Sequence, residues 1–287
     1  NETIGLPLWM PEDKTKMQKC IDDRIRMLAE KYAEKVPVWD VTNEVANAGC
    51  YENMPEDFEV RAHKLADELF PDNHLIYNDY YGYFKPGYSG KRSTTYQIVK
   101  KILKSGARID GVGIQNHLFV REEDISCEHD MLNAYHILEM LSIYSNLADS
   151  LHISEITVPS YDSTDEKLDV QAKIVENLYR LWFSIKSVKS VVWWNLVDGY
   201  AFVNPLNPTL NEDYYGGGLL RHDFSEKPAY KVIDRLVNQE WHTEFDAISE
   251  ESGSVCKDMF HGSYCISVNG KEHSFTVDEK TNVINIT

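Results

Sequence analysis

Apolar positions along the 287-residue chain recur with two periods. Over residues 13–34 they fall at Met17, Ile21, Ile25, Leu28 and Tyr32, which is one face of a helix. The run 36–41 that follows, with Val36, Val38, Trp39 and Val41, predicts a strand. The same alternation then repeats. A helix over about 56–70 leads into "HLIYNDYY", and one over about 93–104 leads into "IDGVGIQNHLF". A helix carrying Met131, Ala134, Leu138 and Leu141 precedes "SLHISEITVP". Another, carrying Leu168, Val175, Leu178, Trp182 and Ile185, precedes "SVVWWNLVDGY". A last helix is expected over about 227–238, entered at Pro228. Beyond Trp241 the texture changes to alternation, with a hairpin signal at Asn269–Gly270. The expected organisation is a main domain over 1–245 and a small antiparallel β appendage over 246–287.

Five strand–helix units imply a parallel sheet with helices outside it. Each apolar run ends in polar or aromatic groups: Asn43–Glu44, Asn78–Asp79–Tyr80, Gln115–Asn116–His117, Glu155, and Trp194–Asn195. A doubly wound sheet gathers such groups at one switch point, whereas a (β/α)₈ TIM barrel collects them from every strand. The α/β barrel is therefore the expected fold.

Composition narrows the partners. Acidic residues outnumber basic ones 46 to 29, a net charge of −17, which disfavours nucleic acid and anionic membranes. No window is long and apolar enough for a membrane span. The start, "NETIGLPLWM", lacks the basic-then-apolar pattern of a signal peptide. The five cysteines (20, 50, 127, 256 and 265) include no CxxC pair, and Cys256 with Cys265 could bridge adjacent strands. Sequons at Asn1 and Asn285 carry no weight without a source. Seventeen Tyr and six Trp could serve sugar binding, but most such rings are core.

The candidate chemistry is a pair of carboxylates. Glu44 and Glu155 close two different β runs, and two carboxyl groups at the mouth of one barrel are what glycosidic cleavage needs. One donates a proton to the leaving oxygen while the other, ionised, attacks the anomeric carbon. Either Glu alone could equally cap a loop or pair with a base. His117 alone would more often be a satisfied core histidine, and Trp193 is expected to pack outward against helices. The pair, with His and Trp on neighbouring runs, makes the structural reading the weaker one.

Taken in order, "WDVTNE", "YNDYY", "GIQNHL", "HISEIT" and "WWNLVDGY" resemble glycoside hydrolase family 10, the endo-β-1,4-xylanases, over roughly residues 5–239. "GGGLLRHDFSEKPAY" resembles the family's ending, and the "SEIT" form with the β appendage is closer to gut-bacterial members than to soil ones. The resemblance implies a retaining (β/α)₈ enzyme acting on xylan without a cofactor, with Glu44 as general acid/base and Glu155 as nucleophile. It further implies that Asn43 holds the 2-hydroxyl of the sugar at subsite −1, and that Gln115 and His117 hydrogen-bond the carboxylates. Trp194 would be the floor under that sugar, Tyr80 with Asn78 would flank subsite +1, and Trp9 would match the tryptophan after the third barrel strand. A secreted, cell-surface or periplasmic location is also implied.

Two departures qualify it. Phe202 stands where a second Trp is usual, and the first three barrel strands have no counterpart in the chain. The expectation is therefore a chain supplying about the fourth to eighth strands, completed by an N-terminal fragment from the same or a separate polypeptide. A non-catalytic xylan-binding barrel and a β-1,4-glucanase are the alternative functions. The sequence has no HExxH, GxGxxG, Walker or GxSxG motif, and no metal is expected. "GGG" at 216–218 reads as a flexible turn, and the acidic stretches near 122–124 and 246–251 as solvated faces.

Overall fold

A computed structural model describes residues 7, 9–46, 53–80, 90–127, 129–205, 207, 209–281 and 283–286. The chain forms two compact units, Asn1–Ala229 and Tyr230–Thr287.

The first unit is built on five parallel strands that neighbour one another in chain order: β1 (Val38–Asn43), β2 (His74–Tyr80), β3 (Gly111–His117), β4 (Ser150–Thr157) and β5 (Val188–Val191). Helices α1 (Lys14–Tyr32), α2 (Phe58–Leu69), α3 (Thr94–Lys104), α4 (Ala134–Tyr144) and α5 (Asp165–Phe183) alternate with them. Several helices start where a short polar side chain can take the first free amides. Asp13 accepts from Lys16 N, Ser93 from Tyr96 N, and Asn133 from Tyr135 N. The helix-covered face of β1 meets a cluster of Ala66, Phe70 and Leu75, joined by Ile25, Leu28 and Ala29 of α1. Trp39 lies 5.0 Å from the Phe70 ring there.

Burial grades outward from the centre of the sheet. Every residue of β3 and the middle five of β2 are buried, whereas β1 buries only Thr42 and β5 none. The fifth strand also stops at Val191, so Trp194 and Asn195 lie in the loop beyond it rather than at a strand end.

Two irregularities of pairing decide which side chains face away from the helices. Opposite β2, the register slips between Asp40 and Thr42, so Val41 is an extra residue. Val41 packs toward α1 and α2, and Thr42 Oγ1 lies 3.1 Å from His63 on α2, so both face the helices. The strand then resumes with Asn43 on the opposite, open face, in register with Asn78. A second slip in β4 follows Ile153 and makes Ser154 the extra residue. Ser154 and Glu155 both turn to the open face as a result, each bonded to Asn78.

The second unit begins inside α6 (Pro228–Arg235) and carries a hairpin of β6 (Gly262–Val268) and β7 (Lys271–Val277). Its turn residues Asn269 (φ 50°) and Gly270 (φ 78°) are both left-handed, as a type I′ turn requires. Cys256 and Cys265 do not bridge: both are free, because Cys265 lies in β6 opposite Ser274 and Cys256 lies outside either strand. Cys50 lies outside the described residues.

Candidate active site

The open face of the sheet carries a continuous polar row. Asn78, in the middle of it, is buried and serves as the hub. Its amide nitrogen reaches Asp40 at 3.3 Å and Glu155 Oε1 at 3.5 Å, and its oxygen accepts from Ser154 Oγ at 2.6 Å. It lies flat against β3 because residue 113 is glycine: a Cβ there would sit 2.6 Å from the Asn78 oxygen.

Glu155 is held from both sides. While Asn78 approaches Oε1, Oε2 lies 3.0 Å from His117 Nε2. The other ring nitrogen of His117 is 2.9 Å from Thr157 Oγ1. If Glu155 is ionised, Nε2 carries the proton and donates it, and Nδ1 accepts from the threonine hydroxyl, so every partner is satisfied. The imidazole is stacked on Phe119 at 4.5 Å and meets the Trp194 ring edge-on at 6.1 Å. Those contacts fix the plane in which it bonds Glu155.

Glu44 follows β1 directly, in the left-handed region (φ 56°), with its N–H donating to Asn78 O at 2.9 Å. A non-glycine residue there stores of order 1 kcal/mol of strain. The turn after it is anchored by Asp79, whose carboxylate accepts from Ala46 N (2.8 Å), Tyr80 N (2.8 Å) and the Tyr77 hydroxyl. Burial raises the Asp79 carboxyl to about 6; the three hydrogen bonds oppose that rise and the nearby charge of Glu44 adds to it.

Gln115 departs from expectation in its partner. Gln115 lies in register with Glu155, but its amide donates to Asn43 Oδ1 at 3.1 Å and not to a carboxylate. β2 lies between β3 and β1, so the long glutamine side chain spans β2 to reach Asn43, which the bulge turns to the same open face. Tyr80 closes β2, half-buried, with its carbonyl accepting from Thr95 Oγ1. Trp9 is not brought to this row by any hydrogen bond or ring contact among the described residues; it lies at a turn before α1, 71% exposed. Tyr81 lies outside the described residues.

The glycines at 216–218 are not a flexible turn. Gly217 and Gly218 are buried, and the Gly216 carbonyl accepts from Lys227 Nζ (2.7 Å), Ser160 Oγ (2.9 Å) and Gln171 Nε2 (3.2 Å). Lys227 is fully buried and paired with Asp198 at 2.9 Å; burial lowers its pKa and the Asp198 partner opposes this. A Cβ on Gly217 would come within 2.7 Å of Thr157 Cγ2, so this segment backs the threonine that bonds His117. Trp193 is half-buried, its N–H donating to Gly217 O. Phe202 is 51% exposed, and Glu122 and Glu123 are solvated, Glu122 pairing with Lys167.

Ser154, Thr157 and Glu212 were not singled out by sequence reasoning, and Asp79 was noted only as one of the polar groups that end its strand. Ser154 and Thr157 flank Glu155 by one and two positions, a spacing that could have flagged them. Glu212 had no such signal.

A sheet of sequential βα units bearing carboxylates near the C-terminal ends of its strands defines a protein of the (β/α)₈-barrel class. Residues 4–236 match the model of Glycosyl hydrolase family 10, and the chain belongs to that family. It is 25% identical over 247 residues to endo-1,4-beta-xylanase B of Thermotoga neapolitana, covering 82% of this chain and 66% of the relative. It is 26% identical over 200 residues to endo-1,4-beta-xylanase A of Caldicellulosiruptor saccharolyticus, covering 63% and 55% respectively. The chain thus spans two thirds or less of these relatives. Native xylanase 10B from Thermotoga maritima superposes with a TM-score of 0.65 at 22% identity, over 83% of this chain and 72% of that one. Five of the barrel's strands are present among the described residues.

Proposed function

We propose that the protein acts as a retaining endo-β-1,4-xylanase. The observation that carries the reading is Glu155, fixed at both oxygens by Asn78 and His117 on the open face of the sheet, with Glu44 directly following β1. Similarity to curated endo-1,4-beta-xylanases supports the substrate. In this reading Glu155 attacks the anomeric carbon as the glycosidic C–O bond breaks, and Glu44 delivers its proton to the departing oxygen. Water then attacks the glycosyl ester, Glu44 takes a proton from it, and Glu155 leaves as the carboxylate. In the same reading Asn43 holds the 2-hydroxyl, Trp194 floors the sugar, and Tyr80 flanks the leaving side. Both steps are acid–base and nucleophilic chemistry of side chains and call for no cofactor.

Two further proposals follow. The exposed edges of the sheet, β1 and β5, are covered in the working enzyme by further strands that complete the barrel, in the same polypeptide or as a fragment. The enzyme works outside the cytoplasm, secreted or at the cell surface, because its polymeric substrate is found there. The test is product release from xylan compared with carboxymethylcellulose, with NMR following the anomer first formed. Xylan cleavage with retained β-configuration is expected. Binding without cleavage would favour a xylan-binding barrel, and equal action on the cellulose a β-1,4-glucanase. Supplying three N-terminal barrel strands should raise the rate; no change would refute completion.

A further inference from the structure

Trp194 is held by more than packing, since it remains 39% exposed. Its indole Nε1–H donates to Glu212 Oε2 at 2.9 Å, and the same oxygen accepts from Asn195 Nδ2 at 2.7 Å. Side chains of consecutive residues ordinarily diverge. Here they converge on one acceptor because Asn195 is left-handed (φ 56°), a conformation a non-glycine residue holds only where its surroundings over-determine it.

Glu212 is itself fixed. It opens a 3-10 turn, Glu212–Tyr215, whose preceding Asn211 accepts from Asp213 N at 3.0 Å. Its own N–H donates to Phe202 O at 2.9 Å. The next residue, Asp213, accepts from Gly199 N (3.1 Å) and Ala201 N (3.0 Å). The turn is therefore tied to the start of the very loop that leaves Trp194. From Trp194 the contacts continue to the edge of His117, and from His117 Nε2 to Glu155.

We propose that Glu212 is the positioning residue for Trp194: one carboxylate oxygen, held by the 212–215 turn, sets the angle of the aromatic surface beside Glu155. Glu212 acts through the indole and touches no sugar in this role. The proposal deepens the xylanase reading and rests on it for the identity of the substrate alone.

Two measurements test it. The first needs no turnover: the indole ¹⁵N–¹H resonance of Trp194 in the whole chain, assigned by its loss in Trp194→Phe. In Glu212→Ala this proton should lose its charge-assisted bond, shift upfield, and exchange with solvent about tenfold faster or more. Glu212→Gln, which keeps an acceptor oxygen, should restore most of the shift. An unmoved resonance in Glu212→Ala overturns the proposal. The second measurement is cleavage of β-1,4-xylo-oligosaccharides. Glu212→Ala should lower kcat by about tenfold to a hundredfold with a smaller change in KM, as expected for a misplaced transition-state contact. Added to Trp194→Phe, the same change should cost little more. Fully additive losses would place Glu212's effect elsewhere and also overturn it. A released indole in a protein that neither binds nor cleaves xylo-oligosaccharides would support the positioning role and refute the xylan reading.

Discussion

β3 and β1 both end in residues of the candidate site, yet they hold them differently. β3 is buried along its whole length and packed between β2 and β4, so His117 leaves it with both ring nitrogens engaged. β1 is an edge strand with Val38 44% exposed, and Glu44 leaves it in a strained conformation steadied by backbone bonds to β2 and by Asp79. The nucleophile candidate is therefore preorganised by neighbours the chain itself supplies. The acid candidate instead follows a strand at the edge of the sheet. A two-carboxylate mechanism assigns different demands to the two: the nucleophile must be aimed, while the acid must change protonation state within one turnover.

The contrast is sharpest in turnover. Glu155→Ala should remove activity on xylan and on activated aryl xylosides alike, by about 10⁴-fold or more, since the covalent step has no substitute. Added azide should restore cleavage of the aryl substrate with inverted product. Glu44→Ala should be nearly as severe on xylan but should spare bond cleavage with a good leaving group, which needs little protonation. Equal loss on every substrate in the Glu44 variant would break the assignment of roles.

Stability should show the same gradient. Leu75→Ala, at a fully buried position of β2, should destabilise by about 2–5 kcal/mol through lost transfer energy and an unfilled cavity. Val38→Ala on the exposed edge strand should cost under about 1 kcal/mol. Chemical denaturation of both variants checks this. Comparable losses would mean that the edge is as tightly packed as the centre.

A smaller effect is expected from pH. His63, on α2, is fully buried against β1 and β2, and burial pushes its imidazole down to about 4, against a weaker opposing backbone hydrogen bond. Its folded-state pKa is below the unfolded value near 6.5, so the unfolded chain binds the proton first. The His63 contribution to stability should therefore fall as pH drops from about 6.5 to about 4, by roughly 3 kcal/mol at most, while Asp79, whose carboxyl burial raises to about 6, acts in the opposite sense over the same range. His152, lowered to about 4 by burial and by the neighbouring His74, adds to the His63 slope. Melting curves across that range should flatten in His63→Gln; an unchanged slope would remove His63 as its source.

Much of this protein was legible in the residue pattern. Helices α1 to α5, the five strands and the Asn269–Gly270 hairpin follow from apolar period and local turn chemistry, which act over a few residues. The strand-end groups Glu44, Asn78, His117 and Glu155 were visible for the same reason. Partners were less legible. Glu212 reaches Trp194 across 18 residues of loop, Trp9 is left exposed, and the glycines at 216–218 are fixed by Lys227. What tertiary structure decided above all was direction. Side chains in a strand alternate with a period of two, so one extra residue reverses every position after it. The bulge at Val41 turns Asn43 to the open face, and the bulge at Ser154 does the same for Glu155. Neither is written in the apolar pattern, because a bulge is a mismatch between two paired strands and exists only once both are in place.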